Sequence, residues 1–249
     1  MKDAKQLQRL TSDLQAIAKE SGHTQPLFIG IDQENGLITR IKEPTAAQLP
    51  GSMTLAATGD VKDAYNVGLM TAIMLRNYGF NFNYAPVADT NSNPKNPVIG
   101  VRSPSDDPET VARVVAAQSH GLRDGNVIGC VKHFPGHGDT AVDSHFGSPV
   151  LEKTRQQMED CEFLPFRRAV SEGIDAVMTA HIVTSNIAGA GLGADHKLKE
   201  IPASLNPDVI AILREDFGFD GLVVSDCLEM DGVRAKFGTA KGAFYALQV

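Results

Sequence analysis

No apolar run in this chain approaches the roughly 20 residues needed to cross a bilayer. The N-terminal stretch MKDAKQLQRL is polar and has no apolar core of the kind a signal peptide carries. A cytoplasmic location is the expectation. Lys and Arg form no dense cluster, and the formal net charge is −7. Binding to nucleic acid or to a membrane surface wants a basic face, so neither partner is expected. Cysteine is scarce: Cys130, Cys161 and Cys227 are odd in number and far apart. That excludes a disulfide framework, and no two of them sit at metal-ligand spacing. No metal and no cofactor is expected. The glycine-rich phosphate loop of a doubly wound nucleotide-binding sheet is also missing.

What remains is an ordinary globular composition, 42% hydrophobic and 21% charged over 249 residues. An α/β barrel commonly uses about this length as one unit. Apolar residues Leu7, Leu10, Leu14 and Ile17 recur at helical spacing, and Gly22 ends that helix. Pro26–Ile31 then reads as a buried strand ending at Asp32. A helix over about 60–78 leads to a strand over Phe80–Val87, ending near Asp89. Asp107-Pro108 caps the next helix, whose apolar face is Val111, Val114, Val115 and Leu122. Val127–Val131 runs as a strand straight into Lys132-His133. Leu151–Glu172 reads as helix, interrupted at Pro165. Ala176–Ala180 is a strand ending at His181. Asn206-Pro207 caps a helix stopped at Gly218, Leu222–Ser225 is a strand ending at Asp226, and Ala240–Gln248 reads as a last helix.

Five apolar strands separated by crossover helices imply parallel β/α units with both sheet faces covered. Charged or imidazole residues recur just past strand ends, at Asp32, Asp89, Lys132, His133, His181 and Asp226. In a β/α barrel one rim collects all such ends and carries the chemistry. An open doubly wound sheet is the alternative topology.

The densest chemistry lies between Lys132 and His145, where three histidines and two aspartates stand among small residues. Imidazole titrates near neutral pH, and a nearby carboxylate fixes its tautomer. Asp143 and His145 are two apart and suit such a pairing. Taken singly, His133 reads equally well as a satisfied core histidine, Asp226 as a turn cap, and Arg102 as a solvated loop arginine. His137 and Asp139 suit loop-shaping hydrogen bonds, and Phe134 and Met230 suit packing.

The run KHFPGHGDT at Lys132–Thr140, with Asp143-Ser144-His145 after it, resembles family 3 glycoside hydrolases in their β-N-acetylglucosaminidase branch. Ile31–Arg40 is similar to the family's DQEGGRVxR segment, Val223–Met230 to its SDxLxM segment, and Arg102 to the arginine of NRSF. The motifs occur in family order and span essentially the whole chain. The resemblance implies a (β/α)8 barrel of the TIM type and a single catalytic domain over residues 1–249. It implies retaining hydrolysis of terminal β-linked N-acetylglucosamine, with Asp226 as nucleophile and His145 as acid/base partnered by Asp143. Asp32, Arg102, Lys132 and His133 would bind the sugar, and Arg40 would support the first-strand site. A histidine in place of the second carboxylate also admits an anionic nucleophile, which keeps phosphorolysis open. A non-catalytic sugar-binding remnant is the third reading.

The chain departs from the pattern at Asn35, where the family usually has glycine, at Leu37, usually arginine, and at Cys227, usually polar. It also begins inside a helix and stops at Val249, whereas the family has a strand before and further units after. Five strands cannot close an eight-stranded barrel, so the barrel is expected to be incomplete at both ends. The aglycone and the oligomeric state leave no mark in the sequence.

Overall fold

The computed structural model describes residues 3–42, 44–141, 149–184, 186–187 and 201–249. Helix α1 (Ala4–Glu20) starts at Asp3, whose carboxylate accepts the Gln6 N–H at 2.8 Å. Strand β1 (Gly30–Ile31) follows, then α2 (Ser52–Thr58) and α3 (Val61–Asn77). Strand β2 (Phe82–Asn83) leads through a 3-10 turn at Gly100–Arg102 to α4 (Pro108–Asp124) and β3 (Ile128–Phe134). Strand β4 (Val150–Leu151) precedes α5 (Arg155–Asp160) and α6 (Phe163–Ser171). Then come β5 (Ala176–Thr179), β6 (Val183–Thr184), a 3-10 turn at Ala203–Leu205, and α7 (Pro207–Ala211), which widens into a π turn over Ile212–Asp216. The chain ends with β7 (Leu222–Ser225), α8 (Asp231–Phe237) and α9 (Thr239–Ala246).

The main sheet has five strands in the order β1-β2-β3-β5-β7, and every pairing is parallel. Consecutive strands of this sheet are joined by helices, as in successive β/α units of a barrel. A doubly wound sheet would reverse its strand order, and this one does not. Strands β4 and β6 form a small parallel pair of their own. Alternate residues of the central strands enter different clusters. Val131 and Val177 pack against the helices with Phe134, Phe163, Phe166 and Leu213, whereas Cys130, Ala176 and Met178 meet Phe82 on the other face. This explains the continuous apolar runs: both faces are covered.

Helices α3 and α4 pack closely because glycine faces glycine there. A Cβ on Gly121 would lie 2.2 Å from the Tyr65 carbonyl oxygen, and one on Gly68 would lie 2.4 Å from that of Gln118.

Several sequence expectations need correcting. On α1 the buried residues are Leu7, Thr11 and Ala18. Leu10, Leu14 and Ile17 are 49%, 39% and 59% exposed, so the expected apolar face is not the packed one. Thr11 is drawn inward because its hydroxyl donates to the Tyr78 carbonyl at 2.7 Å. The expected long helix over 151–172 is a short strand and two helices, broken at Cys161-Glu162. Pro165 does not break it: it sits in the first turn of α6, where no N–H is required. Helices α2 and α8 were not foreseen. The caps at Asp107 and Asn206 are as expected, each side chain accepting a first-turn N–H.

Candidate active site

Residues at the C-terminal ends of β1, β3 and β7 line a cleft of about 600 Å³. Asp32 follows β1, Lys132 and His133 lie in the last turn of β3, and Asp226 follows β7. Arg102 enters from the 3-10 turn after β2. Arg40, Arg102, Lys132, His133, Asp32 and Asp226 therefore line one cavity, although they are spread over almost 200 positions of sequence. Asp143 and His145 lie outside the described residues.

The deepest part of the cleft is an ion-pair cluster. Lys132 Nζ stands 2.8 Å from Asp32 Oδ1 and 2.8 Å from Glu34 Oε1. Arg102 donates to both oxygens of Glu34, from Nε at 2.9 Å and Nη2 at 2.8 Å, and its Nη1 donates to the Val98 carbonyl. Glu34 is thus the shared counter-ion of two cations, and its side chain is 5% exposed. Burial pushes its carboxyl up, but Lys132 and Arg102 outweigh this and bring it down to about 2. Burial lowers the Lys132 ammonium, and Glu34 and Asp32 more than reverse that. Glu34, Lys132 and Arg102 are therefore charged at neutral pH. Of the two carboxylates paired with Lys132, Asp32 is the more open, with 38% of its side chain exposed against 5% for Glu34.

His133 is oriented from behind. Asp89, fully buried after β2, holds the His133 Nδ1 at 2.7 Å through Oδ2. Its other oxygen accepts the backbone N–H groups of His133 and His137. Burial raises the Asp89 carboxyl, yet His133 and these donors bring it down to about 2. A charged Asp89 keeps the proton on Nδ1 and leaves Nε2 as the atom available to the cleft. His137 also lines the cleft. Burial lowers its pKa, and its Nδ1 pairs with the Thr140 hydroxyl at 2.7 Å. The loop that carries it has no room for side chains at its tightest point. A Cβ on Gly138 would sit 1.6 Å from the Thr90 carbonyl oxygen. Gly138→Ala is expected to cost about 1–3 kcal/mol or more of stability, because backbone must move. An unchanged urea midpoint for that variant would contradict this packing.

Asp226 takes its position from two backbone bonds. Its N–H donates to the Thr179 carbonyl at 2.9 Å, and the Cys227 N–H donates to its Oδ1 at 2.7 Å. Burial raises its pKa, but His133, the Cys227 N–H, His181 and Lys132 together leave it lowered. The cleft thus carries an ionised Asp226 together with the Asp32–Lys132–Glu34–Arg102 ion-pair cluster on one lining. Glu229, Asp231 and Arg234 continue the wall beyond Asp226. Arg40 stands exposed at the rim, and its side chain makes no ion pair among the described residues.

The departures from the family pattern have local explanations. Asn35 has φ 69°, a left-handed conformation that asparagine tolerates best after glycine. Its side chain also donates to Thr71 and accepts from Gln33. Leu37 is 71% exposed and does not line the cleft. Cys227 lines the cleft beside Asp226. Two residues have clear roles in this geometry that the sequence did not assign: Glu34 was not singled out, and Asp89 was named only as a strand-end residue. The signal for Glu34 is its place within the DQE segment.

The family model described as the N-terminal domain of glycosyl hydrolase family 3 matches residues 1–249. The chain belongs to glycosyl hydrolase family 3. Beta-hexosaminidase A of Pseudoalteromonas piscicida is 37% identical over 234 residues, covering 92% of this chain and 39% of that protein. The structure of a family 3 beta-N-acetylglucosaminidase from Paenibacillus sp. str. FPU-7 superposes with a TM-score of 0.92 at 41% identity, covering 99% of this chain and 45% of that one. NagZ from Neisseria gonorrhoeae, solved with N-trifluoroacetyl-D-glucosamine, gives a TM-score of 0.84 at 32% identity, covering 100% and 69%. The chain therefore spans about 40% of the length of the Pseudoalteromonas relative. The family 3 barrel, a TIM-type (β/α)8 fold, is represented here by its five parallel strands and their helices.

Proposed function

We propose that the chain is part of the single catalytic barrel domain of a retaining exo-β-N-acetylglucosaminidase. The observation that carries this reading is the ionised Asp226 lining one cleft with the Asp32–Lys132–Glu34–Arg102 cluster. A retaining glycosidase needs a carboxylate nucleophile below the sugar and a proton donor on the other side. Asp226 attacks the anomeric carbon, the bond to the leaving oxygen breaks, and a glycosyl ester forms. Asp32, Lys132, Arg102 and the His133 Nε2 bind the sugar's hydroxyls, and Arg40 supports the rim. His145, partnered by Asp143, protonates the leaving oxygen and then takes a proton from the attacking water. The likeness to the beta-hexosaminidase and beta-N-acetylglucosaminidase relatives supports N-acetylglucosamine as the sugar.

Turnover of aryl β-N-acetylglucosaminide against aryl β-glucoside, with and without phosphate, tests the reading. Preference for the N-acetylated substrate without phosphate is the expected result. Equal rates on both sugars would overturn the sugar assignment, and strict phosphate dependence would replace hydrolysis by phosphorolysis. His145→Ala is expected to slow a poor phenol leaving group by about 10²–10⁴-fold and a dinitrophenol far less, because the latter needs no proton. Equal losses on both would remove His145 from the acid role.

A further inference from the structure

His181 closes β5 and is fully buried, yet the proposed chemistry does not use it. Both of its ring nitrogens are engaged. Nε2 lies 2.9 Å from the carbonyl oxygen of Cys227, and Nδ1 lies 2.7 Å from the Ser204 hydroxyl. A carbonyl only accepts, so Nε2 carries the hydrogen. In the neutral ring, Nδ1 then accepts from Ser204. Burial lowers the ring's pKa, ahead of the opposing pull of the Cys227 carbonyl and of Asp226, so the neutral form is the resident one. Ser204 is itself fixed: its N–H donates to the Ala180 carbonyl, and the Ala203 N–H donates to that of Ile182.

The consequence falls on Asp226. On one side of Cys227, the Asp226 N–H is bonded to the Thr179 carbonyl. On the other, the Cys227 carbonyl is bonded to His181. These two anchors on β5 and its end bracket Cys227 and set where its N–H points. That N–H is the donor that holds Asp226 Oδ1 at 2.7 Å. If the bracket is released on the His181 side, the N–H can swing and the carboxylate loses its fixed rotation.

We propose that His181, held in its Nε2–H tautomer by Ser204, is a positioning residue that orients the Asp226 carboxylate through the Cys227 carbonyl; this rests on the reading of Asp226 as the nucleophile. A histidine that merely filled the core would leave chemistry per folded molecule unchanged when replaced. A positioning residue acts on the first chemical step, where a misplacement of about 1 Å costs on the order of 10²-fold.

The test uses the whole chain and three substitutions: His181→Leu removes the donor, His181→Gln returns an amide N–H near the Nε2 position, and Ser204→Ala frees the ring. The rate of dinitrophenol release from its β-N-acetylglucosaminide in a single turnover reads the attack by Asp226 without need of an acid. His181→Leu should slow this step by about 10–100-fold with KM little changed, and His181→Gln should recover most of the loss. The second readout needs no activity: the Asp226 carboxyl followed by carbon NMR. Its titration faces His133, His181 and Lys132 as well as the Cys227 N–H. It should move upward in His181→Leu and return in His181→Gln. An Asp226 titration unmoved in folded His181→Leu overturns the inference, as does a wild-type rate of release. If His181→Leu fails to fold, Ser204→Ala carries the same two readouts with smaller expected changes, and wild-type values for both overturn it. Full turnover by Asp226→Ala would instead sink the nucleophile assignment, which keeps the two failures apart.

Discussion

Replacing Asp226 by asparagine is expected to lower kcat/KM on an aryl β-N-acetylglucosaminide by about 10⁴-fold or more, with the melting temperature held within a few degrees. The size follows from removing the only group proposed to form a covalent bond with the sugar, since loss of a nucleophile costs about this much or more in enzymes that act through one. The small effect on folding follows from local geometry. The backbone N–H of residue 226 still donates to Thr179, and an amide oxygen can still accept the Cys227 N–H. Among the described residues the carboxylate makes no direct salt bridge, and burial opposes the attraction of His133, His181 and Lys132 for its charge. Steady-state kinetics and a thermal melt on the same preparation check both halves. Residual activity above about one per cent of wild type would end the nucleophile assignment. A drop of 10 °C or more in the melt would show that Asp226 holds the fold as well.

The strand-end rule explains why so much of the cleft was legible beforehand. Parallel β/α units bring the C-terminal ends of their strands to one rim. Asp32, Lys132, His133 and Asp226 could therefore be assembled from position alone, before any distance was known. The residues behind them were harder to see. Glu34 and Asp89 touch other side chains, and their importance lies in bonds to Arg102, Lys132 and His133 that join segments 40 to 100 residues apart. No local spacing encodes such a pairing. The misjudged face of α1 has a different cause. Periodicity reports which side chains are apolar, and in this chain Leu10, Leu14 and Ile17 carry that signal while remaining exposed. Thr11 is buried instead because one carbonyl, that of Tyr78, needs its hydroxyl. The break at Cys161-Glu162 was likewise masked, because Pro165 is the conspicuous breaker and yet fits the first turn of α6.

Glu34→Leu should be the most damaging change outside the residues proposed to touch the sugar. Among the described residues it leaves Lys132 with Asp32 as its remaining acid in contact and Arg102 with none. Removing one partner from a buried ion-pair cluster typically costs about 3–5 kcal/mol, because the orphaned charge keeps its desolvation penalty. Sugar binding should fall too, since Arg102 loses the two bonds that aim it. Glu34→Gln retains the shape and one acceptor, so its loss should be smaller and its pH dependence diagnostic. Glu34 is held at about 2 in the fold, below its ordinary 4.5. Its contribution is therefore fully present above about pH 4.5 and is lost as pH falls through about 2. Asp89, brought from 3.8 to about 2, acts with the same sign in nearly the same window. Urea unfolding at pH 7, 4 and 3 should show wild-type stability falling with acid, and falling less steeply in Glu34→Gln, which has one proton fewer to take up on unfolding. Identical slopes in the two proteins would mean that Glu34 is not the charge that holds this cluster together.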